Sequence, residues 1–357
     1  LLTTIQGDSN SKIKNVVFLH IEGLSRTFID KKIDGQLIMP FLNQLSNDSV
    51  YFKNMVQSFN ATAGSFFSVV SGFPKGCFDE NTRRFTSYEI NGYYGTLARI
   101  LGDANYDHYS CQGFKESAIE YVSFMSNQGY KCFSYDDFYE RIKKKNLLNE
   151  ADDMQGIFDG YFLDECAEIL LSSSKPNFTA HINPVTTHSP WRIPSNFKSS
   201  FKDPVFSAFS YVDESIKSFV EKFKKANRFD DTLFVIFADH TSVTYKNDFI
   251  EKFMIPLIFY NVNLPKSLMK QKSEIYASHV DIVPSILSLL NGNFYYAGMG
   301  QNLFDMPENR CFAISNSSVH GIYFKDSFVL EFSPEDKDLQ IFMKNGDTVS
   351  SKNVIQN

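Results

Sequence analysis

The sequence predicts an α/β fold: a central, mostly parallel sheet sandwiched between helices, with a small antiparallel sheet at the C-terminal end. Three observations predict it. Two short apolar runs, 16–21 and 232–238, are dense in β-branched and aromatic residues, as strands covered on both faces are. Helix-like and strand-like stretches alternate through most of the chain, the pattern of crossover connections between parallel strands. From Cys311 onward the rhythm changes to short strand patterns at 311–314, 321–324, 327–332 and 339–343, joined by turns.

Taken in order, the run 16–21 stops at Glu22, and Gly23 lets the backbone turn sharply. Residues 39–45 read as a helix and 50–56 as a strand. Asn60-Ala61-Thr62-Ala63-Gly64-Ser65 opens a helix over 66–71, which Gly72 and Pro74 close. A helix at 94–101, a strand at 106–111 and a helix at 116–126 follow. Residues 160–172 form an amphipathic pattern and 178–183 a strand. The long helix 206–225 places Phe209, Val212, Ile216 and Val220 on one face. Strands at 232–238 and 256–260 precede a helix at 280–290. The expected organisation is a lead-in over 1–14, a catalytic domain over 15–305 and an antiparallel appendage over 306–357.

Composition narrows the function. At 357 residues with 43% apolar content, the chain can bury a large core. Its net charge of −6 offers no basic face to a nucleic acid, and no nucleic-acid partner is expected. The cluster of Arg141 and Lys143–Lys145 reads as a solvated helix end. The 5 cysteines form no CxxC pair, which argues against a metal–thiolate site. No apolar run is long enough to span a bilayer, and the start, Leu1-Leu2-Thr3-Thr4, carries no signal-like segment. That start reads as the beginning of an excised fragment.

The chemistry concentrates at strand ends and helix starts. Open α/β sheets gather ligands at the carboxyl ends of their strands. Glu22 ends the first apolar run, and Asp239-His240 ends the second. Carboxylates and imidazole together form an oxygen/nitrogen set suited to Mn2+, Mg2+ or Zn2+. Thr62 lies at a predicted helix start, where the dipole and free N–H groups favour an anion or alkoxide. A threonine hydroxyl attacks only when a metal or base activates it, so Thr62 is both fourth ligand candidate and candidate nucleophile. Its alternatives are a helix-capping role and the nearby Ser65 as nucleophile. His188 lies in a polar loop with Ser189-Pro190-Trp191. His279 is expected to position the helix after it. His20, His108, His181 and His320 read as core histidines.

These residues also carry a family resemblance. Glu22-Gly-Leu-Ser-Arg-Thr27, Ala61-Thr62-Ala-Gly-Ser65, Ser71-Gly-Phe-Pro74, Thr187-His188-Ser-Pro190, Ala238-Asp239-His240 and His279-Val-Asp-Ile-Val-Pro284 occur in the order of the alkaline-phosphatase/sulfatase superfamily. Within it the chain resembles phosphoglycerol transferases of periplasmic glucans and, next, lipoteichoic acid synthases. Gly298-Met-Gly300-Gln-Asn-Leu303 is similar to the glycine-rich segment that follows the last catalytic helix there. The resemblance implies an alkaline-phosphatase-like sandwich with one divalent ion, Mn2+ or Mg2+, on Glu22, Thr62, Asp239 and His240.

It further implies that Thr62 becomes transiently esterified and that His188 binds phosphate or assists the leaving group. Gln112 and Lys115 fall where the family contacts glycerol phosphate, although the His and Phe-Trp-Asn-Arg pattern of lipoteichoic acid synthases is absent. Trp191 and His279 complete the candidate substrate contacts. The implied partners are an anionic phospholipid donor such as phosphatidylglycerol, a glycan or glycolipid acceptor, and a membrane surface outside the cytoplasm. The C/S-x-P-x-R motif that sulfatases mature to formylglycine is missing, which argues against sulfate-ester hydrolysis. Phosphoethanolamine transfer, phosphodiester or phosphomonoester hydrolysis, and a degenerate glycan-binding domain are the alternatives.

Overall fold

The structure, a computed structural model, describes residues 2–75, 84–115, 118–242, 250–269 and 275–305, together with the strand segments 311–315, 320–324, 327–331, 339–343 and 348–350. Its centre is an eight-stranded sheet. In chain order the strands are β1 (Asn15–Ile21), β2 (Val50–Val56), β3 (Tyr106–Gln112), β4 (Lys131–Phe133), β5 (Asn177–Asn183), β6 (Thr232–Ala238), β7 (Met254–Tyr260) and β8 (Tyr276–Ser278). Across the sheet they run β8-β2-β7-β6-β1-β5-β3-β4. Only β7 opposes its neighbours, β2 and β6, and every other pairing is parallel. β1 and β6 are buried along their whole length, as their largely apolar sequences require, with Asn15, His20 and Thr232 as buried polar residues.

Helices cover both faces: α1 (Pro40–Asp48), α2 (Thr62–Ser71), α3 (Ala118–Asn127), α4 (Tyr135–Lys144), α5 (Asp159–Leu171), α6 (Pro204–Lys225) and α7 (Ile282–Leu289). On α6, Phe219 and Phe223 lie edge-on to Phe234 of β6. On the opposite face, Phe66 of α2 packs against His20 of β1 and His181 of β5. Asp213 of α6 accepts hydrogen bonds at 2.8 Å from the N–H groups of both Phe41 and Leu42. Those are donors of the first turn of α1, which has no capping side chain of its own.

The C-terminal sheet is an antiparallel meander of five strands in sequence order, Cys311–Ser315, His320–Phe324, Ser327–Glu331, Leu339–Met343 and Thr348–Ser350. It joins the main body through Tyr323, whose ring stacks on Phe312 and meets the Tyr276 ring at a tilt, 4.7 Å between centroids. The last strand has no counterpart in the sequence reading.

Several elements differ from expectation for local reasons. The helix expected over 94–101 begins only at Leu97, because Thr96 takes the N-cap and accepts from the Arg99 N–H. β4 had no sequence counterpart, and of α4 only the basic end at 141–145 was expected as a helix end. α4 buries only Phe138 and Ile142, so its apolar stripe is two residues wide. The basic residues at its end are not simply solvated, since Arg141 and Lys145 pair with Glu165 of α5 at 2.7 and 2.5 Å. Leu2–Gln6 pairs antiparallel with Asn293–Ala297 outside the main sheet. The side chain of His320 lies outside the described residues.

Candidate active site

The site forms because β1 and β6 are neighbours in register, Ile21 opposite Ala238, so the residues that follow them emerge side by side. After Glu22 the chain reverses at Gly23, whose φ of 65° is one that L side chains rarely adopt. This turn aims the Gly23 N–H at Asp239 Oδ1, 2.9 Å away. The Thr187 hydroxyl donates to the Glu22 carbonyl at 2.7 Å and ties the loop after β5 to the same point.

Four side chains converge there. Nε2 of His240 is 3.5 Å from Glu22 Oε1 and 3.5 Å from Asp239 Oδ2. One ligand atom from each of Glu22, Asp239 and His240 lies within 4.8 Å of the others. The Thr62 hydroxyl donates to Glu22 Oε2 at 3.1 Å. Thr62 is the first residue of α2, and Ala61, not Thr62, is the N-cap; the threonine hydroxyl therefore does not cap the helix. Ser65, the rival nucleophile, is 1% exposed and donates to the Phe59 carbonyl at 2.8 Å.

The electrostatics fit a cation. Burial, followed by the charge of Asp239, pushes the Glu22 carboxyl up to about 8, while His240 pulls the other way. Asp239 Oδ1 accepts from the N–H groups of Gly23 and His240, but its Oδ2 is buried with no hydrogen-bond partner among the described residues. Nδ1 of His240 faces the Thr241 carbonyl at 3.3 Å, which favours the ring proton on that side and the Nε2 lone pair toward the carboxylates. Two carboxylates, one orphaned oxygen and an oriented imidazole make a donor set suited to a hard or borderline divalent ion.

Glu22 and Thr62 open onto a pocket of about 280 Å³, whose wall also includes His188, Arg84, Glu120 and Gln155. His188 is exposed, with Nδ1 2.8 Å from the Ser189 carbonyl. The other expected substrate contacts are not among the residues that line this pocket. Gln112 ends β3, is 1% exposed and places Nε2 3.3 Å from Ser110 Oγ. Lys115 pairs with Asp152 at 3.1 Å, and Trp191 lines a separate groove with Phe158 and Arg192. His279 is fully buried: Nδ1 accepts from the Ser58 N–H at 3.0 Å and Nε2 faces the Ala238 carbonyl at 2.9 Å. It fixes the loop before α2 to the end of β6 and is sealed off from the pocket by that burial. Arg84, Glu120 and Gln155 were not found from the sequence, because none ends an apolar run or belongs to a recognised motif.

Fold and site together define an alkaline-phosphatase-like α/β domain with a Glu/Asp/His cluster of metal-binding geometry beside a helix-start threonine. The chain belongs to the sulfatase family, whose profile matches residues 14–292. It is 26% identical over 332 residues to the lipoteichoic acid synthase of Staphylococcus saprophyticus, covering 84% of this chain and 49% of that protein. It is 25% identical to the lipoteichoic acid synthase of Staphylococcus aureus (strain USA300), covering 86% of this chain and 50% of that one. The chain thus spans about half the length of the curated relatives it matches.

Among solved structures, an alkaline phosphatase superfamily protein from Vibrio parahaemolyticus superposes with a TM-score of 0.76 at 20% identity, covering 99% of this chain and 86% of that one. A lipoteichoic acid synthase from Listeria monocytogenes gives 0.76 at 18% identity, covering 99% and 91%. A phosphoglycerol transferase from Streptococcus pyogenes, in complex with sn-glycerol-1-phosphate, gives 0.56 at 15% identity, covering 80% and 76%. These structural likenesses show the fold. No helix among the described residues is long and apolar enough to cross a membrane.

Proposed function

We propose that the chain is the catalytic part of a metal-dependent transferase that moves phosphoglycerol from phosphatidylglycerol to a cell-envelope glycan or glycolipid, outside the cytoplasm. The observation that carries this reading is the Thr62 hydroxyl, held 3.1 Å from Glu22 at the first position of α2 and facing the pocket. The similarity to lipoteichoic acid synthases supports the donor and acceptor classes.

Glu22, Asp239, His240 and Thr62 would hold one divalent ion, Mn2+ or Mg2+, with Zn2+ also compatible with the donor set. Such an ion lowers the pKa of a coordinated hydroxyl and neutralises charge on a phosphoryl oxygen. In the first step, the Thr62 oxygen forms a bond to phosphorus and the bond from phosphorus to the diacylglycerol oxygen breaks. The Thr62 proton leaves to solvent and is regained from solvent when Thr62 is released, while exposed His188 at the pocket wall, entering protonated, gives its proton to the diacylglycerol oxygen. In the second step an acceptor hydroxyl attacks phosphorus, gives its proton to His188 and restores Thr62. The N–H groups at the start of α2 favour the negative charge that develops there.

The test supplies Mn2+-loaded protein with phosphatidylglycerol vesicles and a glycan acceptor, and follows diacylglycerol and labelled phosphoglycerol. Diacylglycerol release with label on the acceptor is the expected outcome. Label appearing only as free glycerol phosphate would establish hydrolysis instead, and turnover of phosphatidylethanolamine alone would establish phosphoethanolamine transfer.

A further inference from the structure

We infer that Glu120 reads the head group of the donor, accepting hydrogen bonds from hydroxyl or ammonium groups at its distal end. The inference rests on the transferase reading above and narrows its substrate to phosphodiesters whose head group carries hydrogen-bond donors. Glu120 stands in the first turn of α3 and lines the same pocket as Glu22 and Thr62. Its Oε1 lies 3.9 Å from Arg84 Nη1, a long contact to a guanidinium that is 73% exposed. Its Oε2 is covered by protein and accepts no hydrogen bond from the described residues. An ionised carboxylate offers about four acceptor sites, so this one is largely unsatisfied. Rotation about the terminal torsion, which is broad for glutamate, exchanges its two oxygens.

The location makes this unusual. The pocket is expected to receive a phosphodiester anion, yet it already presents Glu22 at one wall with Asp239 beside it. A third carboxylate repels that anion unless it meets a donor on the ligand itself. Arg84 beside Glu120 offsets the repulsion without supplying a close hydrogen bond. A first-turn acid is favoured by the helix dipole, which explains why glutamate is tolerated but gives Oε2 no donor. Phe114 and Tyr121 wall the same pocket with ring centroids 5.1 Å apart, and an apolar wall strengthens a charged hydrogen bond by excluding water. Glycerol hydroxyls and an ethanolamine ammonium share the required chemistry, whereas a methyl-capped head group lacks it.

The experiment compares Mn2+-loaded wild type, Glu120→Leu and Glu120→Gln on vesicles of phosphatidylglycerol, phosphatidylethanolamine or phosphatidylmethanol, reading kcat/KM from diacylglycerol release. Wild type should prefer a donor-bearing lipid over phosphatidylmethanol. Glu120→Leu should shrink that preference by a factor on the order of ten to a hundred, the value of one hydrogen bond to a charged group. Glu120→Gln keeps an acceptor and loses the charge, so it should reduce a glycerol preference several-fold and an ammonium preference much more. Preferences unchanged in both variants, or absent in wild type, would overturn the role of Glu120 while leaving the transferase reading intact. No turnover of any lipid by wild type would overturn the transferase reading and the head-group assignment with it.

Discussion

Two clusters of polar side chains lie close together in this molecule and differ in one respect. At the strand ends, Glu22, Asp239 and His240 converge with an orphaned carboxylate oxygen and an opening to solvent. In the interior, His20 and His181 lie 3.0 Å apart among Phe18, Phe66 and Phe237, and His279 bridges Ser58 and Ala238. The interior groups are fully enclosed, and burial lowers their basicity: His279 falls to about 4 and His181 to about 3. The same residue type is thus kept neutral in one place and turned toward two carboxylates in the other. Asp213 makes the point for carboxylates, since both its oxygens accept helix N–H groups whereas Asp239 leaves one without a partner. Convergence of ligand atoms beside an opening marks the candidate cluster; enclosure marks the scaffold, where His20 Nδ1 and His181 Nε2 also find no hydrogen-bond partner among the described residues.

That contrast can be broken by substitution. Thr62→Ala should lower turnover by a factor on the order of ten thousand, as loss of a nucleophile does. Its melting temperature should stay near wild type, because the side chain caps no helix; a collapsed melting temperature would make Thr62 structural. His279→Ala should cost about 3 kcal/mol in denaturant unfolding, since it leaves a buried N–H and carbonyl unpaired and opens a cavity. A loss well under 1 kcal/mol would show that these contacts do not support the fold. Asp239→Asn should act in the opposite direction on the metal-free protein. It replaces a buried carboxylate that faces Glu22 with a neutral amide of the same shape, so thermal stability should hold or rise, while affinity for Mn2+ drops by about a hundredfold or more. Calorimetric titration and melting curves check the two halves separately.

The interior histidines also set a pH dependence. Their folded pKa values lie below the unfolded value of about 6.5, so the unfolded chain binds protons that the folded one refuses. Their stability contribution is complete above that value and declines as pH falls toward about 4, where His279 protonates in the folded state. The His279 share of that loss is on the order of 3 kcal/mol. A melting temperature flat between pH 7 and pH 4 would contradict it.

Much of the fold was legible because burial on both faces leaves a plain sequence trace. Strand 232–238 matches its apolar run residue for residue, and 50–56 matches its expected strand although Lys53 and Asn54 interrupt its apolar residues. β4 was not legible, being three residues long, and of α4 only the basic end was, because the helix is rich in Asp, Glu, Arg and Lys with a thin buried stripe. Leu2–Gln6 is largely exposed, so it carries no apolar signal. The cluster residues were legible because each follows an apolar run or opens a helix. The pocket wall was not, because Arg84, Glu120 and Gln155 are polar residues in polar surroundings whose meaning comes only from what folds opposite them. His279 was read both as a helix-positioning residue and as a substrate contact, and its burial against Ala238 and Ser58 accords with the first of these.

The central claim is that Thr62 carries the transferred group. Intact mass of the Mn2+-loaded protein after incubation with phosphatidylglycerol vesicles, with no acceptor present, tests it most directly beside Thr62→Ala. A phosphoglycerol-sized increase on wild type and none on the variant is the expected result. An equal adduct on both proteins, or turnover that survives in Thr62→Ala, would contradict the account.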